Sequence, residues 1–154
     1  MPTPFTIGVI SDTHGPLRPE ALAALAHSNH ILHAGDVGDP TILDRLREIA
    51  PLTAIRGNID TTGPCAALPP TESVELAGRL FYLVHSIHDL DLNPKAANID
   101  VVVTGHSHIA TIETRDGVLY LNPGSAGPRR FNRPITLATI SISGAALNTR
   151  ILTL

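Results

Sequence analysis

The chain has 154 residues, 43% hydrophobic and 16% charged, with a formal net charge of −3. That length predicts one domain over residues 1–154, long enough to bury a substantial core, and the low charge content excludes an intrinsically disordered chain. The mild acidity disfavours nucleic acid as a partner, the 3% aromatic content disfavours a base-stacking platform, and the single cysteine, Cys65, excludes a disulfide framework.

In chain order, Phe5-Thr-Ile-Gly-Val-Ile10 reads as a buried strand: short, apolar and rich in β-branched residues. Pro19-Glu20 opens a helix whose buried face is expected to be Leu22, Leu25 and Ala26. His30–Ala34 is the second strand. Asp39-Pro40 reads as an N-cap and first turn, followed by a stripe of Ile42, Leu43, Leu46 and Ile49. Leu52–Ile55, Leu80–Val84 and Asp100–Val103 are further short strands. The last third, Thr111–Thr114, Val118–Leu121, Ile135–Ser143 and Ala145–Leu152, reads as strands joined by Asp116-Gly117 and Gly144 turns. The chain is therefore expected to be an α/β protein with antiparallel strands beside a strand–helix–strand half. No basic leader with an apolar segment precedes the first strand, and no apolar run approaches ~18 residues, which predicts a cytoplasmic protein with no membrane span.

The residues at the end of each early strand are chemically specific. The first strand runs into Asp12-Thr-His14, the second into Gly35-Asp36, the third into Gly57-Asn58, the fourth into His85 and the fifth into Gly105-His106-Ser-His108. Steps of 21 to 27 residues separate these points, each close to one strand plus one crossover. Parallel strands would deliver them to a single edge, outside the carboxyl ends, where ligands bind in open α/β sheets. Two carboxylates, one amide and four imidazoles suit Mn²⁺, Fe²⁺, Zn²⁺ or Co²⁺ rather than copper(I) or an iron–sulfur cluster. Seven donors exceed the needs of one tetrahedral ion and suit two, with Asp36 as the bridge. His106 and His108, two apart on an extended segment, would point the same way. Glycines before Asp36, Asn58 and His106 allow close backbone approach.

This ordered set resembles the calcineurin-like metallophosphoesterase superfamily, and Asn122-Pro-Gly-Ser125 resembles its small YfcE-type phosphodiesterase subfamily, with Vps29 similar in fold and size. The resemblance implies a four-layer α-β-β-α sandwich of two mixed sheets and a dinuclear site. One ion would take Asp12, His14, Asp36 and His108, and the other Asp36, Asn58, His85 and His106. Mn²⁺ is favoured, with Zn²⁺, Fe²⁺, Ni²⁺ and Co²⁺ as alternatives.

The implied activity is hydrolysis of a phosphoester, with a diester preferred, by a metal-bridging hydroxide; Asp36, Asn58 and Asp60 are the catalytic candidates, Asp60 by orienting a ligand. Larger relatives carry a His as candidate general acid where this chain has Ile59, so aryl leaving groups should outpace alkoxides. Ser86 stands where the family usually has Gly. His88 and Arg129 are substrate-binding candidates. Arg129, Arg130 and Arg133 form a basic cluster suited to phosphate. His33 reads as a buried, hydrogen-bonded ring and Cys65 as an inert thiol. The alternative function is a Vps29-like protein-binding scaffold with a metal-occupied, weakly active pocket. A nuclease is disfavoured by the missing basic groove. The expected partner is a small phosphoester substrate, and a homo-oligomer is left open.

Overall fold

A computed structural model describes residues 3–15, 17–129 and 132–154. Strand β1 (Phe5–Ile10), helix α1 (Pro19–Leu25), β2 (His30–His33), α2 (Pro40–Ile49) and β3 (Leu52–Ala54) form two successive crossovers. After them come the short helix α3 (Gly63–Ala66), β4 (Thr71–Leu76), β5 (Arg79–Val84), a 3₁₀ turn (Ile87–Asp89) and β6 (Val101–Val103). The chain ends in two hairpins, β7 (Thr111–Arg115) with β8 (Val118–Asn122), and β9 (Thr136–Ser143) with β10 (Ala146–Thr153).

The strands divide into two mixed five-stranded sheets, ordered β10-β9-β1-β2-β3 and β4-β5-β6-β8-β7. In the first sheet β1, β2 and β3 run parallel and β9 lies antiparallel to β1. In the second β5, β6 and β8 run parallel, with β4 and β7 antiparallel at the two edges. Alternation along each strand assigns its two faces. Ile7 and Val9 of β1 join Leu32, Phe81, Leu83, Val101, Val103 and Ile140 in the core between the sheets. Ile10 and Ile31 point the other way, against Leu25 of α1 and Ile42, Leu43 and Leu46 of α2. The outer face of the second sheet is covered by Ile99, Leu90 and Leu92 from the segment after the 3₁₀ turn, packed on Val84, Val102 and Val118. This is a four-layer α/β sandwich whose fourth layer is thin.

Helix α2 starts as the sequence predicts: Asp39 Oδ1 accepts from the Thr41 amide at 2.9 Å and from Thr41 Oγ1 at 2.8 Å. Helix α1 buries Ala21 and Leu25, whereas Leu22 is half-buried and Ala26 exposed. The helix ends at Leu25, so Ala26 is a cap residue past the face expected to hold it. Strand β4 and helix α3 are additions to the elements expected from sequence. Thr71-Glu-Ser-Val-Glu-Leu76 lies on an edge with only Leu76 buried and carries no apolar run, and α3 is four residues long. No helix among the described residues is long and apolar enough to cross a membrane.

Candidate metal centre

The strands that carry expected donors, from both sheets, end in the same region. β1 leads to Asp12 and His14, β2 to Asp36, β3 to Asn58, β5 to His85, and β6 to His106 and His108. The donors thus come from both sheets rather than from one parallel half. Close approach of these loops depends on glycine. A Cβ on Gly105 would strike Ser11 Oγ and come within 2.7 Å of Asp12 Oδ2. Five of the seven expected donors are non-glycine residues in the left-handed region: Asp12 (φ 55°), His14 (55°), Asp36 (56°), His106 (70°) and His108 (62°). The His106–His108 segment is therefore not extended, contrary to the expectation from the two-residue spacing. Left-handed backbone at non-glycine residues clusters at sites where the surroundings over-determine it.

Each carboxylate has one anchored oxygen and one aimed inward. Asp12 Oδ2 accepts from Ser11 Oγ at 2.7 Å and from the His106 amide at 3.1 Å. Asp12 Oδ1 lies 3.4 Å from His108 Nε2, 3.8 Å from His14 Nε2 and 3.8 Å from His85 Nε2. Asp36 Oδ1 accepts from the Ile59 amide at 3.0 Å, and Oδ2 lies 3.2 Å from His85 Nε2 and 3.5 Å from His14 Nε2. His85 Nδ1 donates to Ala34 O at 2.7 Å, which turns Nε2 toward the carboxylates. The histidines sit in two pairs, His14 with His108 (ring centroids 5.7 Å apart) and His85 with His106 (5.3 Å).

Burial opposes ionisation of Asp36, but the contact with His85, the Ile59 amide and the nearby His14 outweigh it and hold the carboxyl well below the usual range. Burial likewise pushes His85 down, yet Asp36, the Ala34 carbonyl and Asp12 more than reverse this, so its pKa is raised. Protons and a cation would compete for these atoms.

The buried Asp12 Oδ1, His14 Nε2 and His85 Nε2 make no hydrogen bond. Such atoms are expensive to bury bare. Two donors each about 2.1 Å from one ion stand about 3.0 Å apart at a right angle and about 3.4 Å apart at the tetrahedral angle. Two of the inward separations, 3.2 and 3.4 Å, fall in that range, and the other three, 3.5, 3.8 and 3.8 Å, are up to 0.4 Å wider. Two sets, Asp12–His14–His108 and Asp12–Asp36–His85, have all their candidate ligand atoms within 4.8 Å of one another. The donors fit a divalent cation.

Asp60 is buried and accepts from three backbone amides, Gly57 at 2.8 Å, Val37 at 3.1 Å and Gly38 at 3.1 Å, tying the Asn58 loop to the Asp36 loop. Asn58 and Ile59 are exposed at the mouth. His88 and Arg129 are exposed, and Arg130 lies outside the described residues. Among the described residues, Arg133 lines the cavity with His14, Asp36, Asn58, His106 and His108, and its Nη1 donates to Ser107 O at 2.6 Å.

Ser11, Asn122 and Ser125 brace the loops. Asn122 Nδ2 donates to Gly105 O at 2.9 Å and Ser107 Oγ at 3.0 Å, and Ser125 Oγ donates to Asp12 O at 3.0 Å. The Asn-Pro-Gly-Ser motif signals two of these; nothing in the sequence singles out Ser11. Cys65 is buried, and burial pushes its thiol pKa up.

A family model of the calcineurin-like phosphoesterase superfamily domain matches residues 5–145. A probable metallophosphoesterase of Methanothermobacter thermautotrophicus is 32% identical over 158 residues, covering 95% of this chain and 91% of its own. Phosphodiesterase YfcE of Escherichia coli K12 is 28% identical over 117 residues, covering 70% of this chain and 64% of its own. Vps29 of Cryptosporidium parvum shares the fold, with a TM-score of 0.79 at 18% identity over 99% of each chain. Inward-facing carboxylate and imidazole donors at the strand ends of such a sandwich define a metal-dependent phosphoester hydrolase. The chain belongs to the calcineurin-like phosphoesterase superfamily.

Proposed function

We propose that the protein is a phosphodiesterase acting with two divalent cations, Mn²⁺ favoured and Zn²⁺, Fe²⁺, Ni²⁺ or Co²⁺ as alternatives. The observation that carries this is the convergence of the inward-facing Asp12 Oδ1 and Asp36 Oδ2 with Nε2 of His14, His85 and His108. Two histidine pairs beside two carboxylates favour two ions, with Asp36 shared, one held also by Asp12, His14 and His108 and the other by Asn58, His85 and His106. When bound, the ions supply an activated hydroxide and positive charge for the phosphoryl oxygens.

The chain's own residues do the rest. Ser11 and the His106 amide hold Asp12, and the Ile59 amide holds Asp36, each with one oxygen presented inward. Neutral Asn58 leaves a loaded centre net positive, which draws in an anionic phosphate. Two cavities meet at Asn58. One, about 270 Å³, contains His14, Ile59 and Arg133. The other, about 410 Å³, contains Arg56, Thr71, His85 and Asp89. Two cavities sharing Asn58 offer room for an ester group on each side of it, which suits a diester better than a monoester. Arg133, pinned to Ser107 O and lining the cavity of His14 and Asn58, is a cation that could meet a phosphoryl oxygen, alongside the expected Arg129. Ile59 carries no proton to donate, so esters whose leaving groups depart as stable anions are preferred. In this reading residues 1–154 act as one domain in the cytoplasm on a small phosphoester, with self-association left open.

The test is turnover of an aryl phosphodiester and an aryl phosphomonoester across Mn²⁺, Co²⁺, Ni²⁺, Zn²⁺ and Mg²⁺, with Asp36→Ala as control. The expected result is metal-dependent diester hydrolysis that the variant loses. Equal turnover by Asp36→Ala would assign the activity to a contaminant. Metal-loaded protein inactive on every ester would favour a protein-binding scaffold.

A further inference from the structure

The last residue of β2, His33, is fully buried and is not among the expected metal donors. Its Nδ1 accepts from the Gly35 amide at 3.1 Å, so that nitrogen carries no proton. The proton is therefore on Nε2, which lies 3.1 Å from Thr13 Oγ1 and donates to it. Thr13 Oγ1 in turn donates to Val37 O at 2.7 Å. Donation runs Gly35 to His33 to Thr13 to Val37, with each of these polar groups paired. The path starts and ends on either side of Asp36 and passes through the residue between Asp12 and His14.

Those two loops hold three left-handed non-glycine residues, Asp12, His14 and Asp36. Backbone hydrogen bonds link them from Asp12 N to Gly35 O at 3.0 Å and from His14 N to Asp36 O at 3.2 Å. The imidazole and the threonine hydroxyl add a buried side-chain cross-link to these, reaching from Gly35 to Val37 across Asp36. Burial lowers the His33 pKa to about 4, so the ring stays neutral and the direction of donation is kept at neutral pH.

We propose that His33, acting through Thr13, is a positioning residue that fixes the β1 and β2 loops in the relative placement at which Asp12, His14 and Asp36 converge on a divalent cation. The inference rests on the metal-centre reading. His33 touches neither ion nor substrate. It acts through the loops, as groups behind metal ligands commonly do, with effects of about 10–100-fold on affinity.

The experiment is Mn²⁺ titration calorimetry of the full chain, alongside circular dichroism and thermal unfolding of the chelated protein. Thr13→Val removes the hydroxyl at nearly constant shape, and Thr13→Ser keeps it. His33→Asn keeps an acceptor near Gly35 but falls short of Thr13. Thr13→Val and His33→Asn are each expected to weaken Mn²⁺ binding about tenfold or more. The double variant should be little worse than either single one, Thr13→Ser should stay within about threefold of the parent, and kcat should recover at saturating Mn²⁺. Unchanged affinity in Thr13→Val, additive losses in the double variant, or lowered thermal stability without lowered affinity would each overturn the proposal. If His33→Asn does not fold, the Thr13→Val and Thr13→Ser pair decides. A parent protein that binds no Mn²⁺ would overturn this inference and the metal-centre reading together, whereas a parent that binds and variants that match it would overturn this inference alone.

Discussion

Replacing Gly57 with alanine tests the site by geometry alone. Gly57 is not among the positive-φ glycines, so alanine brings no conformational penalty of the left-handed kind. The added Cβ would strike Asp36 Oδ1 and the Asp36 amide nitrogen, and would stand 2.8 Å from Asp36 Cγ. That is about 0.7–1.2 Å inside the optimal separation of two carbon atoms. Asp36 cannot retreat without losing the Ile59 amide bond at 3.0 Å. Overpacking of this kind costs about 1–3 kcal/mol. The functional effect should be larger, because metal ligands tolerate only about 0.2 Å of misplacement. Gly57→Ala is therefore expected to lose about 1–3 kcal/mol in urea unfolding of the chelated protein, and more than about tenfold in Mn²⁺ affinity by calorimetry. Gly78→Ala is the control: its φ of +80° brings strain, but nothing lies within 4 Å of the new Cβ. It should lose about 1 kcal/mol and no metal affinity. If Gly57→Ala matches Gly78→Ala in both measurements, the close packing of Gly57 on Asp36 is not what shapes the site.

Three further outcomes are expected. Folded His33 resists protonation to about pH 4, while the unfolded side chain protonates near 6.5. Its contribution to stability is thus fully present above pH 6.5 and is lost as pH falls toward 4, by about 3 kcal/mol; urea unfolding of chelated protein across that range should be correspondingly flatter for His33→Gln, and parallel curves would refute the assignment. Because His106 has a φ of 70°, His106→Gly in chelated protein should be about 1 kcal/mol more stable than His106→Ala; equal stabilities would mean the left-handed backbone stores no strain. Ile59→His places a proton donor at the mouth and should speed alkyl diesters up to about 100-fold while leaving aryl diesters nearly unchanged; an unaltered alkyl-to-aryl ratio would show that leaving-group protonation does not limit the reaction.

The candidate donors are legible in the sequence because each lies just past a short apolar strand, and strand alternation is local chemistry. Ile7, Val9 and Ile10 declare a strand with two buried faces, and Asp39-Pro40 declares a helix start, with no knowledge of their neighbours. The edge strand β4 is not legible, because only Val74 and Leu76 of Thr71–Leu76 are apolar and only Leu76 is buried. Spacing alone suggests an extended backbone at His106 and His108, and the structure departs from it. Their left-handed turns occur where the His106 amide bonds to Asp12, 94 residues away, and where Asn122 holds Gly105 O and Ser107 Oγ. Sequence points to the cluster of Arg129, Arg130 and Arg133, and the placement of Arg133 at the cavity depends on a bond to Ser107 O, 26 residues away.

Order and identity of the candidate donors, the two-faced strands and the α2 cap are properties of neighbouring residues, so composition and spacing along the chain determined them. Which oxygen of each carboxylate is anchored, which histidines pair, and that strands of two separate sheets bring their ends to one place depend on contacts between residues far apart in the chain. Those contacts exist only once the apolar faces of both sheets have closed on each other, and only the tertiary structure decided them.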